Sequence, residues 1–86
     1  MKILIADDQP VVRLTLRRLL ESQRHEVVDC ADGDAAWTAL QAERFDVAIL
    51  DWMMPGRDGP ALCRSIRQDD KHRGVYVILL NALEGT

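Results

Sequence analysis

The sequence predicts an α/β fold, an open parallel sheet with helices on both faces, and two features carry that prediction. Short apolar runs alternate with helix-period stretches along the chain, the order that parallel strands and right-handed crossovers require. Three of those runs, "KILIA", "VAIL" and "VYVILL", are continuously apolar, as strands covered on both faces are. The 86 residues are expected to make one domain over positions 1–86. A chain of this size buries only about 60–65% of its unfolded surface, so its stability margin is thin.

The first strand is "KILIA" (2–6). A helix follows from Pro10 to Arg24, with Val12, Leu16, Leu19 and Leu20 on one stripe. Pro10 suits its first turn, where a missing N–H costs nothing. "EVVDC" (26–30) is a second, weaker strand, closed by the Asp32-Gly33 turn signal. "DAAWTALQAE" (34–43) is rich in helix formers and sets Ala36, Ala39 and Leu40 on one side. "VAIL" (47–50) is the third strand, "GPALCRSIR" (59–67) a helix with Leu62, Cys63 and Ile66 on one face, and "VYVILL" (75–80) the fourth strand.

Composition narrows the function. The chain is 48% apolar and 29% charged, ordinary values for a globular protein. A net charge of −3 gives no electrostatic basis for direct nucleic-acid binding. Arg13, Arg17 and Arg18 read as part of a solvated helix face. No run approaches the about 18–20 apolar residues that cross a bilayer, and no secretory signal opens the chain, so a cytoplasmic protein without a membrane partner is expected. Cys30 and Cys63 form no ligand-spaced pair and read as reduced core residues.

The informative residues are carboxylates at strand ends. Asp7 and Asp8 close strand 1, and Asp51 closes strand 3. Functional groups of open parallel sheets gather beyond the carboxyl ends of strands, so neighbouring strands 1 and 3 would bring three carboxylates together. Two unit charges about 4 Å apart repel by about 4 kcal/mol at an effective dielectric of about 20. Such a cluster calls for a cation, a raised pKa or wide separation, and carboxylates completed by water suit Mg²⁺. The plainer readings are a loop aspartate near a helix start for Asp8 and a turn residue for Asp51.

"LIADD", "ILDWMMPGRDG" and "VILLNA" resemble the receiver domain of two-component response regulators, over the whole chain. The specific combination is the acidic pair after strand 1, Asp51 after strand 3, and then Met54-Pro55-x-x-Asp58-Gly59. The resemblance implies a flavodoxin-like receiver fold with strand order 2-1-3-4. It implies that Asp51 is the phosphoryl acceptor, that Asp7, Asp8 and Asp51 bind Mg²⁺, and that the backbone carbonyl of Met53 is a further ligand. A histidine kinase would be the phosphoryl donor, and an output domain or downstream protein would read the signal. The domain would then be a phosphoacceptor and not an enzyme, beyond transferring and losing its own phosphoryl group.

Two departures from the family pattern stand out. Where the family carries Ser or Thr after strand 4, this chain has Asn81, whose amide donates a hydrogen bond but is larger than a hydroxyl. A plain turn role for Asn81 is the alternative. A family member also continues through a last helix–strand–helix portion whose strand carries a Lys, and the 86 residues stop before it. The resemblance is therefore to a receiver cut after about two thirds of its length, with an uncovered fourth-strand edge that would pair two copies into a homodimer. A non-switching interaction or dimerisation module built on the same scaffold is the competing function. A metal-dependent phosphohydrolase fits less well, because Met53 stands where such enzymes tend to place a second acid.

Overall fold

The computed structural model describes residues 1–80. Four parallel strands, β1 (Lys2–Ala6), β2 (Glu26–Cys30), β3 (Val47–Asp51) and β4 (Tyr76–Leu80), lie in the order β2-β1-β3-β4. Three helices alternate with them: α1 (Pro10–Ser22), α2 (Gly33–Ala42) and α3 (Gly59–Gln68). The order predicted from the resemblance is the order found. Pro10 and Pro60 sit in the first turns of α1 and α3, where their missing N–H groups break no helix bond.

Strand alternation divides the core between two faces. On one, Leu4, Ala6, Ala48 and Leu50 meet Ala36 and Leu40 of α2 and Leu62 and Ile66 of α3. On the other, Ile3, Ile5, Val27 and Ile49 are covered by Leu16 and Leu20 of α1. Leu19 lies off that stripe and is 54% exposed, so the packing side of α1 follows an i, i+4 spacing narrower than the sequence pattern suggested. The central strands are buried on both faces, as their continuous apolar runs predicted. In β4 the α3 side is covered, and on the other side only Leu80 reaches the core, leaving Tyr76 and Ile78 68% and 38% exposed.

Local signals explain the boundaries. The Asp32 carboxylate accepts from Ala35 N at 2.7 Å and the Asp58 carboxylate from Ala61 N at 2.9 Å. Each caps a helix start, relieving one of the N–H groups the first turn leaves unpaired. Asp32-Gly33 is thus a helix cap as well as a turn. A 3-10 turn at Asp70–His72, capped by Asp69, was not anticipated. It precedes β4 and buries His72 edge-on to Trp37, with ring centroids 5.8 Å apart. Cys30 is buried, whereas Cys63 is half-buried and outside the core. Asp58→Ala is expected to lower unfolding free energy by about 1 kcal/mol, read as a lower urea midpoint with an unchanged slope.

Candidate functional site

Register builds the site. Ala6 pairs with Leu50 across β1 and β3, so one residue further along each strand sets Asp7 beside Asp51. Asp8 follows in the turn to α1. The three carboxylates offer oxygens that all lie within 4.8 Å of one another. Asp7 is buried, Asp51 half-buried and Asp8 exposed, so the cluster runs from the sheet core to solvent. Asp7 is held from two sides: its N–H donates to Cys30 O at 3.1 Å and its carboxylate accepts from Gln9 N at 2.8 Å.

The cluster is electrostatically frustrated. Burial pushes the Asp51 carboxyl above the ordinary carboxylate value, and the charges of Asp7 and then Asp8 add to the rise; backbone N–H groups of Met53 and Trp52 oppose it. Repulsion of this kind is relieved by a cation held among hard oxygen donors, and the set fits Mg²⁺ in donor type. Met53 lies two residues beyond Asp51 in the turn to α3, its side chain exposed. Asn81 lies outside the described residues.

The turn itself is tightly fitted. Trp52 N donates to Leu80 O at 2.8 Å, and Gly59 N returns to Trp52 O at 3.1 Å. A Cβ on Gly59 would lie 2.4 Å from Asp51 O, so α3 begins against the backbone of Asp51 itself. Met54 is buried in the core, which leaves Trp52 and Met53 facing solvent beside the carboxylates.

The arginine reading needs correction. Arg13 is not on a solvated face: its guanidinium donates to Asp7 O at 2.8 Å and lies 3.4 Å from an Asp29 oxygen. Arg17 also pairs with Asp29, while Arg18 is exposed. Arg13 therefore ties α1 to β2 and to the backbone of a site residue. The available signal was its place one turn after Gln9, directly behind the acidic pair, where Arg13 N makes the first helical bond to Gln9 O at 3.1 Å.

The model of the response regulator receiver domain matches residues 3–85 of the chain. The phosphate regulon transcriptional regulatory protein PhoB of Rhizobium meliloti is 38% identical over 81 residues, covering 94% of this chain and 36% of PhoB. The chain thus spans about a third of that regulator's length. The Francisella response regulator 1452 receiver domain is 30% identical with a TM-score of 0.87, over 99% of this chain and 69% of that one. The receiver domain of the sensor histidine kinase PA1611 of Pseudomonas aeruginosa, solved with a magnesium ion coordinated in its active-site cleft, is 34% identical with a TM-score of 0.87, over 98% of this chain and 70% of that one. No described helix is long and apolar enough to cross a membrane. With sheet order, acidic cluster and family match in agreement, the chain belongs to the response regulator receiver domain family.

Proposed function

We propose that this chain is a phosphoacceptor domain of a two-component pathway, with Asp51 taking a phosphoryl group from a histidine kinase. The observation that carries the reading is the β1–β3 register that sets Asp51 against Asp7 and Asp8. An Asp51 oxygen attacks phosphorus as the bond from phosphorus to the donor imidazole breaks, giving an acyl phosphate and a free imidazole. Mg²⁺, when bound by Asp7, Asp8, Asp51 and the Met53 carbonyl, neutralises charge on the phosphoryl oxygens. Burial is the main cause of the raised Asp51 pKa, and the charges of Asp7 and Asp8 add the repulsion that this cation would relieve.

Asp51 is modified once per signalling cycle, which makes the domain a switchable acceptor and not a catalyst. Asn81 holds the switch position by its place in the sequence, where its amide would donate in place of the family's hydroxyl. The setting is cytoplasmic, and an output domain or downstream protein reads the phosphorylated form. Nothing favours the competing module without switching.

The chemical class is tested by incubating the protein with a small phosphodonor and Mg²⁺ and weighing it intact. One phosphoryl group per modified chain is expected, removed by hydroxylamine as an acyl phosphate is and dependent on Mg²⁺. A label stable to hydroxylamine would refute the reading.

The homodimer proposal belongs to the 86-residue polypeptide. Among the described residues β4 has one strand neighbour, β3, and its other edge carries neither Lys nor Pro. Such an edge pairs readily with another strand, and antiparallel pairing of two β4 strands about a two-fold axis makes one continuous sheet. Sedimentation at micromolar concentration should show a dimer that Ile78→Lys dissociates.

A further inference from the structure

We propose that Arg57 is a positioning residue whose contact with the Trp37 ring seats the turn between β3 and α3 and thereby sets the affinity of the acidic site for Mg²⁺. The inference rests on the metal-dependent phosphoacceptor reading above. It concerns the part of the turn the strand-end bonds do not reach. Trp52 and Gly59 are fixed by the bonds to Leu80 and to each other, but Pro55, Gly56 and Arg57 cross open ground toward α2.

They are received by the first turn of α2. Gly33 N donates to Pro55 O at 3.1 Å. A Cβ on Gly33 would lie 1.7 Å from Arg57 O, so only glycine lets the two backbones meet. Gly56 takes φ +74, a left-handed conformation that suits glycine, and a Cβ there would lie 2.5 Å from an Asp34 carboxylate oxygen. Backbone fit alone would allow the segment to lift away as a unit. The Arg57 side chain is what closes over it.

That side chain bridges two helices. Its guanidinium carbon lies 4.9 Å from the centroid of the Trp37 ring. Nη1 donates to Ser65 Oγ at 3.3 Å, and Ser65 Oγ donates to Ala61 O at 3.2 Å. The ion pair to Asp34, at 3.8 Å, involves a carboxylate 72% exposed and contributes little. The guanidinium over the Trp37 ring is the contact that matters, and a lysine ammonium does not reproduce it with the same hydrogen-bonding fork. Trp37 is itself braced edge-on by the buried His72, so Arg57 grips a fixed surface.

The consequence for the site is geometric. Asp51 and Met53 stand at the head of the turn that Arg57 anchors at its tail. Groups that orient metal ligands without touching the metal commonly change its affinity by about 10-fold or more. A surface contact with no positioning role would alter stability alone.

The test is a Mg²⁺ titration of the 86-residue protein by calorimetry, in parallel with urea unfolding. Arg57→Ala is expected to weaken Mg²⁺ binding by about 10-fold. Arg57→Lys should restore only part of the loss. Arg57→Met, which fills the same space over Trp37 without the charge or the fork, keeps the fold and should bind Mg²⁺ as weakly as Arg57→Ala. Trp37→Phe removes the indole face and leaves Trp52 as the single tryptophan beside the acceptor, so its emission reports the metal. Trp37→Phe should weaken binding too, and adding Arg57→Ala to it should weaken it little further. Wild-type Mg²⁺ affinity in folded Arg57→Met, or fully additive losses in the double variant, would overturn the inference. Failure of the phosphoacceptor reading looks different: the wild-type protein would then show no binding heat that Asp51→Asn removes, and the positioning role would fall with it.

Discussion

Asp51→Asn should be more stable than the parent protein at neutral pH and should lose its thermal response to Mg²⁺. Burial, and then the charges of Asp7 and Asp8, hold the Asp51 carboxyl above its ordinary value. Between the unfolded-state value and that raised value the folded protein binds more protons than the unfolded chain. Stability therefore falls as pH rises through that window, and the penalty is complete above it. Asparagine keeps the shape and removes the charge. The gain is read as a higher Tm of the variant than of the parent at neutral pH, shrinking as the pH falls. Mg²⁺ at about a hundred times its dissociation constant should stabilise the parent by about 2.7 kcal/mol, and the variant by much less. A parallel set of melts at neutral and acid pH checks both signs. Equal melting shifts with Mg²⁺ in the two proteins would refute the metal assignment.

Gly59→Ala should lower stability and slow phosphoryl transfer together. Alanine is the better helix residue by about 1 kcal/mol, and Gly59 opens α3, so propensity alone predicts a gain. The added Cβ would lie 2.4 Å from Asp51 O and 3.0 Å from Leu79 Cδ2. The first is backbone at the end of a buried strand and has no free direction to move. Relieving the clash pushes α3 away from β3 at a cost of about 1–3 kcal/mol, and it displaces the acceptor. A displacement near 1 Å can slow a positioned reaction by about a hundredfold. A lower urea midpoint together with a slower rate of labelling by a phosphodonor is the expected pair of results. An unchanged midpoint would mean the helix start yields more easily than its contacts suggest.

How much of this was legible beforehand follows from the range of each interaction. The strands and helices could be read because periodicity and caps are local, and Leu4, Leu40, Leu50 and Leu62 are all fully buried where the pattern put them. The acidic site was legible because parallel register carries strand ends to one edge, so Asp7 and Asp51 needed no side-chain detail to meet. Arg13 and Arg57 were not legible. Both act through long side chains that cross between elements, Arg13 to the backbone of Asp7 and Arg57 to the face of Trp37; spacing behind the acidic pair places Arg13 near the site but does not fix its partner, and no spacing points Arg57 to Trp37. The turn at Asp70–His72 was missed for a different reason. It is three residues long and held by one cap from Asp69, too short for any periodicity to show.

The central claim is that Asp51, and no other carboxylate of the cluster, is the acceptor. Borohydride reduction tests it most directly. Hydride cleaves an acyl phosphate to the alcohol, so a phosphorylated aspartate becomes homoserine and stays marked through proteolysis. After treatment with phosphodonor and Mg²⁺, then borohydride, the peptide spanning the end of β3 should carry homoserine at position 51, in proportion to the phosphoryl group seen on the intact protein. Asp51→Asn should yield none. Homoserine at Asp7 or Asp8, or labelling that survives in Asp51→Asn, would contradict the account.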